Sequence, residues 1–169
     1  MRNPVLFLIT AILFSWPLEG VAEDSVYNLV SPVPFAEGSG ASSKVKSECL
    51  LDTRLPQFIA EAARQGVTVV IGPTPEADAE GKYLKIEFTS VMGPGGGAWS
   101  GPKSVTVKGE LIENGEVIGS FIGSRYSTGG VFGGYKGTCS ILGRCIKALG
   151  KDIAGWLRSP TMDARLGDA

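Results

Sequence analysis

The sequence predicts an α+β fold, a two-layer sandwich with two helices on one face of a mostly antiparallel sheet of about five strands. Three observations predict it. Leu51 to Ala62 and Leu142 to Leu157 repeat apolar residues at helical spacing, Tyr83 to Val91 alternates with period two, and Asn114-Gly115 joins two β-runs. Helices and half-wet strands each have one apolar face to cover, and stacking the two layers covers both.

Val26 to Val30 reads as an edge strand, followed by a loop rich in Ser, Pro and Gly. In the first helix Leu51, Leu55, Phe58, Ile59 and Ala62 draw one stripe; Asp52 suits the start, Pro56 fits only the first turn, and Gly66 suits the stop. Val67 to Ile71 is a continuous β-branched run and predicts a strand buried on both faces. A polar loop, Thr74 to Lys82, leads to the alternating strand, whose Leu84, Ile86 and Phe88 share the apolar face.

Asn114-Gly115 predicts a type I′ turn. A regular two-residue turn pairs Glu113 with Glu116, Leu111 with Ile118 and Val107 with Ile122, which places Ile118 and Ile122 on the core face and Phe121 on the other. The last helix carries Leu142, Ile146, Leu149, Ile153, Trp156 and Leu157 on its stripe, and Ser159-Pro160 ends it. Gly143, Gly150 and Ala154 form a small-residue strip on it, which implies close packing because glycine weakens a helix interior.

Residues 1–22 have the form of a signal peptide: a basic start at Arg2, an apolar run from Val5 to Trp16, and small residues before a cleavage point after Ala22. The run is too short to span a bilayer. No cysteine stands immediately after the cleavage point, where a lipoprotein would carry one, so the expected product is a periplasmic or secreted chain with no lipid anchor and no transmembrane anchor. Residues 23–47 then form an N-terminal strand and loop, 48–159 the α+β domain, and 160–169 a C-terminal tail. The chain of 169 residues has no histidine, which excludes Ser-His-Asp and Cys-His triads and His-ligated metals; no metal or cofactor pattern takes their place. With 16 basic and 17 acidic residues, no global field favours nucleic acid as a partner.

Three cysteines allow one disulfide and one thiol. If the last helix begins at Thr138, Cys139 and Cys145 are about 9 Å apart along its axis and cannot bridge, so Cys49 pairs with one of them; a helix starting at Ile146 would permit a local Cys139 to Cys145 bond. The segments GPGGGAWSG and GGVFGGYKGT miss the phosphate-loop spacing. The loops they belong to, Met92 to Gly101 and Tyr126 to Gly137, bring Trp99, and Tyr126, Phe132 and Tyr135, onto flexible backbone, a composition suited to a partner-binding surface. Arg144, Lys147, Lys151 and Arg158 form a basic stripe on the last helix, either a solvated face or a contact for an anionic envelope surface or acidic partner. An enzyme built on the spare thiol or on Glu110, Glu113 and Glu116 is the rival reading.

CLLDTRLPQFI, GGAWSGPKSVTVKGELIENGEVIGSF and GGYKGTCSILGRCIKALGKDIAGWL together resemble a family of small exported proteobacterial proteins of unknown function. More distantly, the order of elements is similar to small α/β envelope modules such as the N-terminal domain of the Tol translocation protein and the periplasmic domain of curli-type secretion lipoproteins. The resemblance implies assembly and protein contact in the envelope, with no catalysis.

Overall fold

The computed structural model describes residues 26–64, 66–73, 81–93, 102–128 and 137–169; the signal-like segment 1–22 lies outside them. The chain runs β1 (Val26–Val30), α1 (Ser43–Cys49), α2 (Leu51–Ala63), β2 (Thr68–Gly72), β3 (Lys82–Met92), β4 (Lys103–Glu113), β5 (Glu116–Ser127), α3 (Thr138–Trp156) and β6 (Ala164–Gly167). The six strands form one sheet in the order β2-β1-β3-β4-β5-β6. Its long central ladders, β3 with β4 and β4 with β5, are antiparallel; β1 with β2, β1 with β3 and β5 with β6 are parallel. Each helical layer segment is thus a crossover between neighbouring parallel strands, and the α+β sandwich stands with its helices on one face.

One continuous core fills the space between the layers, with Leu29, Ile59, Phe88, Val107, Ile146 and Ile153 among its members. The helix stripes face it as the spacing predicts: Leu55 and Ile59 from α2, and Leu142, Ile146, Leu149 and Ile153 from α3, are fully buried. Tyr27 crosses the core and donates its hydroxyl to the Leu157 carbonyl at 3.2 Å. Pro56 is the sixth residue of α2, past the first turn expected for it, and removes one intrahelical donor; the Asp52 carbonyl left over accepts from the Val33 N–H at 3.0 Å instead.

Four expectations change. The two N-terminal strands exchange places: β1 lies inside the sheet, whereas β2 is its edge and most of its residues are exposed. The crossover through α1 and α2 carries β2 to the outside of β1, so the run TVVIG reflects β-branched propensity and not burial. A short helix, α1, precedes the expected one; Ser42 caps it by accepting from the Val45 N–H at 3.3 Å, and Leu50, at φ 49°, breaks it from α2. Asp52 therefore lies in the first turn of α2 rather than at its cap position, Leu50. Finally, residues 160–169, expected as a tail, contain β6, paired with β5 from Phe121 to Ser124.

The turn itself forms as expected, with both Asn114 and Gly115 at positive φ. Its register does not persist. A bulge at Ile118 sets Leu111 opposite Gly119 and Gly109 opposite Phe121, which reverses the faces of β5 beyond it. Phe121 is buried at 2% exposure, and Ile118 and Ile122, at 38% and 48%, face outward. Packing with α3 explains the slip. A Cβ at Gly119 would stand 2.9 Å from the Trp156 ring, and one at Gly123 would stand 3.1 Å from Leu149, so glycine at both places leaves room for those side chains on β5. Phe121 then fills the space over Gly109 and meets Trp156 edge-on at 4.8 Å.

Candidate functional site

The sheet reaches one end where β3, β4 and β5 are in register across three rows. Met92 pairs with Ser104, and Ser104 pairs with Tyr126. The three lie on the face away from the helices, because their neighbours Val91 and Val105 point into the core. Met92 is 56% exposed and Tyr126 is 63% exposed, an unusual pair of large side chains at one sheet end. Segment 94–101 joins β3 to β4 at this end, and segment 129–136 leaves β5 beside it. Trp99, Phe132 and Tyr135 lie in those segments, outside the described residues; Tyr126 belongs to β5 and is their described neighbour.

The anchors beneath that end are firm. Arg125 holds Asp152 of α3 through two bonds, Nε to Oδ2 at 2.8 Å and Nη2 to Oδ1 at 2.9 Å, and reaches Asp168 Oδ1 at 3.2 Å. The bond to Asp152 raises the guanidinium pKa further. Asp168 also accepts from the Tyr126 N–H at 3.2 Å, which fixes the strand under the exposed ring. On the helix side, Gly93 packs against Leu142 and Thr138, and Cys49 bridges to Cys139 with a Cα separation of 4.8 Å. The bond ties the end of α1 to the first turn of α3. Of the two partners left open for Cys49, Cys139 is the one used.

Cys145 is the remaining cysteine. It is buried, its thiol lies 3.7 Å from the Lys103 carbonyl, and burial pushes its pKa up to about 11. At neutral pH it is a thiol and not a thiolate, the opposite of what a nucleophilic cysteine needs. The hairpin carboxylates are spread along the turn. Glu113 faces Glu116 across it, and Glu113 pairs with Lys82 at 3.5 Å.

Arg144, Lys147, Lys151 and Arg158 are all exposed, on or just after α3. Two of them, Arg144 and Lys147, line a cleft of about 390 Å³ between α2 and α3, together with Arg54, Phe58, Cys139, Ser140 and Gly143. Arg54 and Phe58 belong to α2 and carry no signal of this role in the sequence, where Phe58 counts toward the core stripe. The open face of the sheet holds a second depression, of about 460 Å³, bordered by Pro32, Pro34, Lys85, Glu87, Lys108 and Glu110. There Lys108 meets Glu87 at 2.9 Å, a contact that raises the lysine's pKa, and charges of both signs alternate, so the depression favours no single-signed ligand.

No protein-family model and no curated protein matches the chain. Among solved structures, a crystal structure of an uncharacterized protein matches with a TM-score of 0.52 at 16% identity, over 80% of this chain and 99% of that one. The two share a fold. The PelC dodecamer from Paraburkholderia phytofirmans aligns at a TM-score of 0.44 and 18% identity, over 76% of this chain and 85% of that one. A Helicobacter pylori homolog of a neuraminyllactose-binding hemagglutinin aligns at 0.43 and 15% identity, over 85% of this chain and 90% of that one. Likeness at these levels carries no activity across.

Proposed function

We propose that the protein is an exported, non-enzymatic binding or assembly module of the bacterial cell envelope, and that it meets its partner at the sheet end beside Tyr126. The observation that carries this reading is the register of Met92, Ser104 and Tyr126 on one exposed row. Both glycine-aromatic segments leave the sheet from that row, so Trp99, Phe132 and Tyr135 are tethered to neighbouring strands. Aromatic side chains and methionine on a rigid scaffold are the composition of a protein-contact surface. Export agrees with the signal-like segment 1–22 and with a disulfide, a bond that persists in oxidising compartments. The topology-level resemblance to the Tol translocation domain belongs to the same reading, as does a periplasmic or extracellular address.

The rival, a thiol enzyme, requires an accessible thiolate, and Cys145 is a buried thiol. The test is capture of partners from envelope extract on immobilised protein. Wild type should retain a discrete partner that Tyr126→Ala and the double variant Trp99→Ala, Tyr135→Ala lose. Equal recovery by all three would count against the sheet end as the contact.

A further inference from the structure

We infer that the cleft between α2 and α3 receives phosphate headgroups and docks the helix layer onto an anionic phospholipid surface. This goes beyond the contact at the sheet end and uses the opposite layer of the molecule. Arg54 lies 5.5 Å from the Phe58 ring centroid and Lys147 lies 5.9 Å from the same centroid, so one aromatic ring holds two cations at the mouth of the cleft. Arg144 and Ser140 complete the α3 side, and among the described residues no acidic side chain lines the cleft. The two helix glycines make the arrangement possible. A Cβ at Gly143 would stand 3.2 Å from the Arg54 guanidinium, and one at Gly150 would stand 2.8 Å from Phe58 Cβ. Glycine at both places lets Arg54 and Phe58 lie against α3, where a larger residue would push them off it. Arg54 Nη1 also donates to the Cys49 carbonyl at 3.4 Å, which orients the guanidinium beside the disulfide.

The charge distribution extends the argument from a cleft to a face. Residues 43–64 and 138–158 hold eight of the chain's 16 basic residues but only four of its 17 acidic ones. One of those four, Asp152, is already bonded to Arg125. The helical segments are therefore net basic, whereas the other described residues, with seven acidic and six basic side chains, are near neutral, and an anionic surface favours approach with the helices foremost. From Arg144 to Arg158 the exposed row runs about 21 Å at 1.5 Å per residue, a length that spans several headgroups. Guanidinium forks and a lysine ammonium around one pocket match the several oxygens of a phosphate.

Co-sedimentation of the mature chain with vesicles tests the inference. Wild type should pellet with phosphatidylcholine vesicles containing phosphatidylglycerol and stay in solution with phosphatidylcholine alone. Lys151→Glu with Arg158→Glu, a loss of charge along the row alone, should weaken binding by about tenfold, and Arg144→Glu with Lys147→Glu, the same charge change that also removes the cleft's cations, by about a hundredfold or more. Unchanged melting curves for both double variants keep the comparison free of folding effects. Equal losses would overturn the cleft as the site, and equal binding to neutral vesicles would overturn the anionic surface. Competition by polyglutamate as strong as that by phosphatidylglycerol vesicles would overturn phosphate as the group recognised. Amide shifts around Ser140 on adding inorganic phosphate, without any vesicle binding, would overturn the lipid source.

Discussion

Phe121 and Gly109 are directly opposed on β5 and β4, and the phenyl ring occupies the place where a Gly109 side chain would stand. The pair records the register of the hairpin, because only the bulge at Ile118 turns Phe121 toward the helices. An aromatic covering a cross-strand glycine restores the packing that the glycine lacks. Gly109→Ala should therefore cost about 2 kcal/mol by overpacking, measured by urea denaturation. Phe121→Leu combined with Gly109→Ala should cost less than the two changes summed, since both act on one space. Additive losses would separate the two residues and refute the pairing.

The bond between Cys49 and Cys139 closes a sequence separation of 90 residues. In the loop-entropy picture a closure of that length stabilises by about 4.6 kcal/mol. Replacing both cysteines with alanine should lower the unfolding free energy by that order. The reduced wild type should fall to the same value; a loss below about 1 kcal/mol would mean that the bridge contributes little.

Alkaline stability should report on Cys145. Its pKa rises from 9.0 in the unfolded chain to about 11 in the folded one, so between those values the unfolded state has already lost the proton that the folded state keeps. Stability from this group is full below about pH 9 and declines as pH rises toward 11, by on the order of 2 kcal/mol. Subtracting the profile of Cys145→Ala from that of the wild type isolates the effect. Parallel profiles, or rapid labelling of the native thiol at pH 7, would contradict a buried, protonated cysteine.

Arg125 joins β5 to α3 through Asp152, with side chains 31% and 21% exposed. Partial exposure and salt limit the pair to about 1 kcal/mol. Asp152→Asn should destabilise by that amount at low salt and by less at high salt, with the change read from denaturation midpoints.

What the sequence made legible was local. The Asn114-Gly115 turn needs two positive φ values, and that chemistry is contained in the dipeptide. Helix stripes and the alternation of β3 are likewise short-range patterns. The bulge at Ile118 was illegible because it depends on Trp156 and Leu149 descending on Gly119 and Gly123, contacts between segments far apart in the chain. The exchange of β1 and β2 was hidden for a similar reason: TVVIG reads as buried until the crossover is known. At the candidate sites, the glycine-aromatic composition and the basic stripe were visible, while Arg54 and Phe58 were not, because only the close approach of α2 to α3 brings them to Lys147.

The central claim concerns the row of Met92, Ser104 and Tyr126, and site-specific photo-crosslinking in the native host tests it most directly. With p-benzoylphenylalanine at position 126, the account predicts one discrete adduct with an envelope protein. The same probe at Thr68, exposed on the far edge strand β2, should give none. No adduct at position 126, or the same adducts from both positions, would contradict the sheet end as the binding surface.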